Sequence, residues 1–189
     1  YSTISHGKVY HHRDDNAASW DEIDRTRNFK VYLLPENAAL PNGKQPAFEA
    51  ADVPDNAYPT GQMTVRIIED LREAKKSGKP FFIAAGYTKP HLPFNAPKKY
   101  WDLYEKDKIV LATNQYPPQN TNVEYCLNKS PELTTHYPWP DGPGVISPES
   151  ARNQKHAYYA CVSYIDAQIG KILDELETQG LDKNTIVLL

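Results

Sequence analysis

Two stretches of the chain carry the residue types that bind and transform anions. The first is Lys89-Pro90-His91, directly after the apolar run Phe81 to Tyr87. In an open α/β sheet, ligands gather beyond the carboxyl ends of the strands, so polar residues placed there are the first candidates. With Pro90 and Pro93 holding the backbone extended, Lys89 and His91 at i and i+2 point to the same side of the chain. Such a pair could bind a substrate oxyanion, with the imidazole as proton donor to a leaving group. Two ordinary surface residues are the bland alternative. The second stretch is Ser5-His6-Gly7-Lys8-Val9-Tyr10-His11-His12-Arg13. Here Lys8 and a protonated His11 could hold an anion, with Gly7 letting the backbone come close. Metal binding has less support, since no Asp or Glu stands in ligand register and the adjacent His11 and His12 diverge in an extended chain. A solvated basic turn accounts for the same residues.

Other polar residues read as structural. Asp14-Asp15 and Asp21-Glu22 lie beside turn and helix-start signals and suit capping or solvation. Asp166 falls beside the apolar face of a long helical pattern, where a buried structural hydrogen bond is expected. Cys161 sits on that face as an inert small core residue. Cys126 has no nearby His to act as its base. Two cysteines are too few for a disulfide framework or a zinc cluster.

The elements that must position these groups follow from periodicity. Tyr1 to about Pro59 reads as short strands and long loops, broken by Pro41-Asn42-Gly43 and Pro54-Asp55-Asn56. From Thr60, Met63, Ile67, Leu71 and Ala74 form one apolar face with Lys75 and Lys76 in the last turn and Gly78 as the stop, which predicts a helix of about five turns. Phe81 to Tyr87 is apolar on both faces and is expected inside a sheet covered on both sides. A short helix is expected around Lys98 to Tyr104. Tyr116 to Pro148 is Pro-rich and aperiodic, a candidate pocket wall. Ser147 and Pro148 then open a helix of about eight turns. Its apolar face is Cys161, Ile165, Ile169, Ile172 and Leu176, supported by Tyr158, Val162 and Leu173, and Gly180 is its stop. Thr185 to Leu189 reads as a buried strand. Two helix-then-strand units, 60 to 87 and 148 to 189, predict an α/β fold with a parallel or mostly parallel sheet.

The chain has 189 residues, with 21 Lys and Arg against 24 Asp and Glu and a formal charge of −3, which excludes a generic binder of nucleic acid or anionic membrane. The hydrophobic share of 40% supports a sizeable core. No apolar run reaches the roughly 18 residues of a membrane span, and Tyr1 to Lys8 has no signal-peptide pattern. A start at Tyr1 and an end on an apolar strand suggest an excerpt of a longer chain.

Taken together, these segments resemble the middle of a type I sulfatase of the alkaline phosphatase superfamily, closest to the iduronate-2-sulfatase branch. The resemblance rests on Gly7-Lys8-Val9-Tyr10-His11 followed by Ser19-Trp20, on Val53-Pro54-Asp55 leading to Tyr58-Pro59, and on Lys79-Pro80-Phe81-Phe82-Ile83-Ala84-Ala85-Gly86-Tyr87 with Lys89-Pro90-His91-Leu92-Pro93-Phe94. It continues through Ala96-Pro97-Lys98-Lys99-Tyr100 and Tyr158 to Gly170. The Lys-Pro-His-x-Pro-Phe motif after a Pro-Phe-Phe strand is fairly specific to that branch. So are two residues, Val9 and Tyr10, between Lys8 and His11, where most sulfatases have one.

The resemblance implies an alkaline-phosphatase-like three-layer α/β/α sandwich with a mostly parallel central sheet, of which residues 1–189 are an internal part. It implies sulfuric ester hydrolysis on a sulfated sugar or polysaccharide, with Ca2+ and a formylglycine nucleophile made from Cys. Lys8 would bind the sulfate and nucleophile region, His11 would contact the formylglycine hydroxyls and help expel sulfate, and His91 would hydrogen-bond the sulfate near the leaving-group oxygen. No Cys-x-Pro-Ser-Arg motif is present, and no family metal ligand falls inside the chain. The nucleophile and the calcium ligands are therefore expected outside it, the segment alone is expected to be inactive, and the remainder of the polypeptide is needed. A secreted, periplasmic or lysosomal setting goes with the family. Rivals are a phosphodiester or phosphonate hydrolase of the same superfamily and a non-catalytic homologue that binds sulfated glycans.

Overall fold

The computed structural model describes residues 1–11, 16–25, 30–114, 116–126, 130, 132–142 and 145–189. In chain order the strands are β1 (Ser2–Gly7), β2 (Glu22–Asp24), β3 (Phe48–Glu49), β4 (Phe81–Gly86) and β5 (Phe94–Asn95). The helices are α1 (Pro35–Ala38), α2 (Pro59–Ser77), α3 (Lys98–Trp101), α4 (Val123–Cys126), α5 (Glu132–Thr135) and α6 (Pro148–Thr178).

The α/β class and the parallel sheet are as expected. β1 lies between β2 and β4, and both pairings are parallel, with His6 beside Asp24 on one side and Gly7 beside Gly86 on the other. A second, two-stranded parallel sheet pairs β3 with β5. The sequence reading placed β4 in the sheet interior with both faces covered. Among the described residues it is instead an edge strand, and Phe82 is 54% exposed, stacking on Trp20 at 5.7 Å between ring centroids. A continuous apolar run cannot distinguish a strand covered by helices from one whose face carries a single aromatic contact.

Helix α2 is the five-turn helix that the spacing predicts. Pro59 occupies its first turn, Met63, Ile67 and Leu71 are buried, and Gly78 closes it in the left-handed conformation. Burial of Ile67 and Leu71 contributes roughly 2 kcal/mol each. Helix α6 begins as expected, with the Ser147 hydroxyl accepting from the Ser150 N–H at 3.2 Å and Pro148 in the first turn. Its buried stripe differs from the expected one. Cys161 and Leu176 are buried, but Ile165, Ile169 and Ile172 are only half-buried, Tyr158, Val162 and Leu173 are exposed, and Asp166 is exposed rather than buried. The stripe runs through Ala157, Tyr164, Gln168 and Glu175 because polar partners on other elements draw it there.

Those partners are the Asp55 carboxylate and the Arg72 guanidinium. Asp55 accepts from Tyr100 at 2.9 Å, Gln168 at 3.2 Å and Lys171 at 2.5 Å, and pairs with Lys99 at 2.7 Å, which ties the entry of α2 to α3 and α6. The Tyr164 hydroxyl completes the joint, donating to the Asp55 carbonyl at 2.6 Å and accepting from the Gly61 N–H at 2.8 Å. Burial pushes the Asp55 carboxyl up, but the donors from Lys171, Lys99, Tyr100 and Gln168 outweigh it and hold it at about 2. Farther along, Arg72 of α2 grips Glu175 of α6 through two bonds of 2.8 and 2.9 Å. A third carboxylate, Glu49 of β3, is buried and accepts from the Leu33 and Leu34 N–H groups, the Asn37 amide and the Tyr58 hydroxyl at 2.6 to 3.1 Å.

Three local expectations change. The short helix ends at Trp101 rather than Tyr104. The segment after β4 turns instead of running extended: the His91 N–H donates to the Thr88 carbonyl at 3.0 Å, and the peptide bonds before Pro90 and Pro93 are both cis. Thr185 to Leu189 pairs with no described strand, and Ile186, Leu188 and Leu189 are more than four-fifths exposed, so the run is not the buried strand that its composition suggests.

Candidate active site

The carboxyl ends of β1 and β4 meet at a glycine on each strand. Gly7 has φ +70°, and a Cβ there would stand 2.5 Å from the Gly86 carbonyl oxygen and 2.7 Å from the Met63 sulfur. A Cβ on Gly86 would collide with the Lys8 carbonyl carbon. The two backbones therefore touch, and the Lys8 N–H donates to the Gly86 carbonyl at 2.7 Å. This contact fixes where the chain leaves β1, and hence where Lys8 projects.

A cavity of about 390 Å³ opens at this point, lined among others by Gly7, Lys8, Tyr10, Gly86, Lys89 and Asn95. It lies at the strand ends where ligands collect in open α/β sheets. Lys8 is exposed at its wall. Tyr87, also in the lining, donates from its hydroxyl to Thr64 at 2.7 Å, because Thr64 spends its own proton on the Thr60 carbonyl at 3.1 Å. Burial raises the Tyr87 phenol above its ordinary value, so it stays neutral.

Lys89 and His91 both sit on the turn but face apart. The Lys89 ammonium donates to the Pro93 carbonyl and, at 3.5 Å, to the His91 carbonyl. Burial pulls Lys89 below its ordinary value, partly opposed by nearby Cys161. The Cys161 thiol is itself pushed up to about 11 by burial and contacts the Asn95 carbonyl at 3.8 Å, which fits the inert core role expected for it. His91 is exposed, with Nδ1 at 2.9 Å from the Leu92 carbonyl and Nε2 at 3.7 Å from Glu132 on α5. A carbonyl can only accept, so Nδ1 carries the proton and Nε2 is the nitrogen turned outward. The expected shared side for Lys89 and His91 required an extended segment, and the turn separates them.

The basic cluster divides in the same way. His11 is exposed just beyond β1. His6 points into the protein, buried, with Nδ1 at 3.2 Å from Asp24 and Nε2 at 2.5 Å from Asp70 of α2, while Arg66 pairs with the same Asp24 oxygen. Sequence reasoning missed this network, since its partners are 18 and 64 positions away and nothing local announces them. His12, Arg13, Asp14 and Asp15 lie outside the described residues. Among the described residues no group of three or more His, Cys, Asp and Glu could hold a metal ion. What surrounds the cavity, Lys8, Lys89 and Arg25, suits an anion rather than a cation.

The Sulfatase family model matches residues 6–189. Iduronate 2-sulfatase of Mus musculus is 33% identical over 204 residues, which cover 99% of this chain and 37% of that protein. The Homo sapiens protein of the same name is 32% identical over 205 residues, with the same coverage of 99% and 37%. A sulfatase of Formosa agariphila is 34% identical over 141 residues, 71% of this chain and 25% of that protein. A solved structure of a Bacteroides fragilis protein described as a sulfatase overlaps 69% of this chain and 24% of its own, at 22% identity and a TM-score of 0.44. The chain thus spans little more than a third of the length of the two iduronate 2-sulfatases.

Proposed function

The chain belongs to the sulfatase family, and from that premise we propose that the complete protein removes sulfate from a sulfated carbohydrate, with Lys8, His11 and His91 acting on the sulfate group. The observation that carries this reading is the placement of Lys8 by the Gly7 and Gly86 contact, at the wall of a cation-lined cavity beyond two parallel strands. Hydrolysis of a sulfate ester builds negative charge on the sulfate oxygens and on the departing alkoxide. Preorganised cationic donors stabilise that charge most where water is excluded.

In this reading Lys8 neutralises the sulfate, and Lys89 adds positive charge to the wall while holding the turn through its carbonyl bonds. With Nδ1–H held by the Leu92 carbonyl, it is the imidazolium form of His91 that would give the proton on its outward Nε2 to the leaving oxygen, leaving a neutral ring. His11, beyond the end of β1, assists the release of sulfate. In this reading Ca2+ and the formylglycine nucleophile come from the rest of the polypeptide, and none of these roles runs through them. No described helix is long and apolar enough to cross a membrane, and the compartment proposed is secretory, periplasmic or lysosomal.

The test is sulfate release by the complete protein, with calcium, from 4-nitrocatechol sulfate and a panel of sulfated disaccharides, compared with His91→Ala. Loss of general acid catalysis should lower kcat about a hundredfold or more. Absence of turnover by the wild type, or an unimpaired His91→Ala, removes the assignment. A parallel arm with an aryl phosphodiester separates the phosphoryl-transfer rival, which would favour that substrate.

A further inference from the structure

Two residues before Lys8, His6 is only 2% exposed and takes no part in the chemistry proposed above. Its ring bridges two elements. Nδ1 stands 3.2 Å from Asp24, the last residue of β2, and Nε2 stands 2.5 Å from Asp70 of α2. Arg66, one turn before Asp70, pairs with the same Asp24 oxygen. An ionised carboxylate can only accept, so a ring that faces one from each nitrogen carries a proton on both and is an imidazolium. The charges agree with that form. His6 and Arg66 set two positive charges against two carboxylates, whereas a neutral ring would leave one negative charge uncompensated in a half-buried cluster. The other charged groups on the elements packed against β1 are engaged or exposed elsewhere. β4 has no titratable residue, and Glu22 of β2 is exposed beside Ile4. On α2, Glu69 and Glu73 are exposed, Arg72 is held by Glu175, and Lys75 and Lys76 lie in the last turn.

What the ring holds is the frame of two cavity cations. Lys8 follows His6 by two residues and Arg25 follows Asp24 directly, and both line the strand-end cavity. On its other side β1 is tied to β4 by the Lys8 N–H and the Gly86 carbonyl at 2.7 Å, a backbone contact that does not titrate. Met63, Arg66 and Asp70 recur at i, i+3 and i+7 on α2, so the helix face that meets the ring also brings the Met63 sulfur against Gly7. A ring with one proton keeps one carboxylate bond and turns a lone pair on the other carboxylate. Either β2 or α2 is then released from the end of β1.

We infer that His6 is a positioning residue for the anion site: its imidazolium locks β1 to β2 and α2, which fixes Lys8 relative to Arg25, and loss of a ring proton as pH rises loosens that spacing and weakens anion binding. The inference rests on the sulfatase reading for the identity of the anion, and deepens it by making sulfate affinity depend on a group that never touches sulfate.

The experiment uses the complete protein with calcium, and inorganic sulfate as the probe, because sulfate keeps its charge between about pH 5 and pH 8, where histidines titrate. The inhibition constant of sulfate against 4-nitrocatechol sulfate hydrolysis is measured across that range for wild type, His6→Gln and Asp70→Asn. The His6 ring is followed by nitrogen NMR on protein carrying isotope-labelled histidine, its signal assigned by its change in the variants. In the wild type both ring nitrogens should carry protons at the acid end, and the sulfate constant should rise about tenfold at the pH where the ring loses one. His6→Gln should bind sulfate about tenfold more weakly at the acid end and lack that step. Asp70→Asn, which keeps an acceptor but removes a negative charge, should move the step to lower pH. A step retained in His6→Gln, a step unmoved in Asp70→Asn, or a ring with one bare nitrogen throughout overturns the inference and leaves the sulfatase reading intact. Should His6→Gln fail to fold, agreement between the ring and the sulfate step in wild type and Asp70→Asn decides. A wild type that neither hydrolyses the aryl sulfate nor binds sulfate at any pH overturns both.

Discussion

Substituting Gly7 by Ala tests the link between backbone geometry and the placement of Lys8. Two costs add. At φ +70° a residue with a Cβ sits in the left-handed region, which costs about 1 to 2 kcal/mol. The new methyl would also stand 2.5 Å from the Gly86 carbonyl oxygen and 2.7 Å from the Met63 sulfur. Met63 can yield by rotating, but the Gly86 oxygen belongs to a strand paired with β1 and accepts the Lys8 N–H, so relief there must spread the two strand ends. Overpacking of this kind costs about 1 to 3 kcal/mol. The sum is about 2 to 5 kcal/mol, and the strand end that moves is the one that delivers Lys8. The assay has two readings on the complete protein: the thermal midpoint, and kcat/KM for an aryl sulfate measured well below that midpoint. Both should fall, and Met63→Ala in the Gly7→Ala background should recover little of the activity, because the rigid clash is with backbone. A Gly7→Ala protein with an unchanged midpoint refutes the steric argument. One that is destabilised but fully active when folded refutes the claim that this contact positions Lys8.

Asp55 predicts a pH signature. Its carboxyl is held at about 2 against 3.8 for an ordinary Asp, a difference equivalent to about 2 kcal/mol. A depressed folded-state value means that this stability is present above 3.8 and is lost as pH falls through about 2. The urea midpoint of Asp55→Asn should therefore trail the wild type by a constant gap from neutral pH to about pH 5, and the gap should close in stronger acid; a gap unaffected by acid would contradict it. Glu49→Gln places an amide N–H₂ where four donors converge, leaving at least one donor without an acceptor in a buried site. That should cost about 1 to 3 kcal/mol, read as a drop in thermal midpoint, and a neutral substitution would show that the loop carrying Leu33 to Asn37 is not pinned by this carboxylate.

The parts of this fold that were legible in the sequence are those in which local pattern and tertiary packing agree. Met63, Ile67 and Leu71 repeat at helical spacing and are buried, and Ser147 with Pro148 announces the start of α6 with the cap it forms. The illegible parts are those in which a distant polar group decides. Ile165, Ile169 and Ile172 are as apolar as a core face should be, yet α6 is rotated so that Tyr164, Gln168 and Glu175 reach Asp55 and Arg72. A hydrophobic pattern carries no information about a charged partner more than a hundred residues away. The same holds for His6: the sequence groups it with Lys8 and His11 as a basic run, while the partners Asp24 and Asp70 hold it in the interior.

That division bears on how the cations of the site are counted. Lys89 and His91 stand two residues apart and, in an extended chain, would offer a pair of charges to one oxyanion. The turn closed by His91 N–H and Thr88 instead sends the Lys89 ammonium onto the carbonyls of His91 and Pro93 and leaves His91 outside, beside Glu132. Part of the charge of Lys89 is thereby spent on the backbone that carries His91, and burial lowers its affinity for a proton further. A Lys89→Met change, which keeps the length of the stem and removes the donor, would consequently act on two things at once: the charge at the cavity wall and the shape of the turn that presents Nε2. Lys8 differs, because its backbone is fixed by Gly86 while its side chain stays exposed at the wall. In a chain with a net charge of −3, the anion binding proposed for this site therefore depends on which few cations are left unspent by the fold, and composition cannot report that.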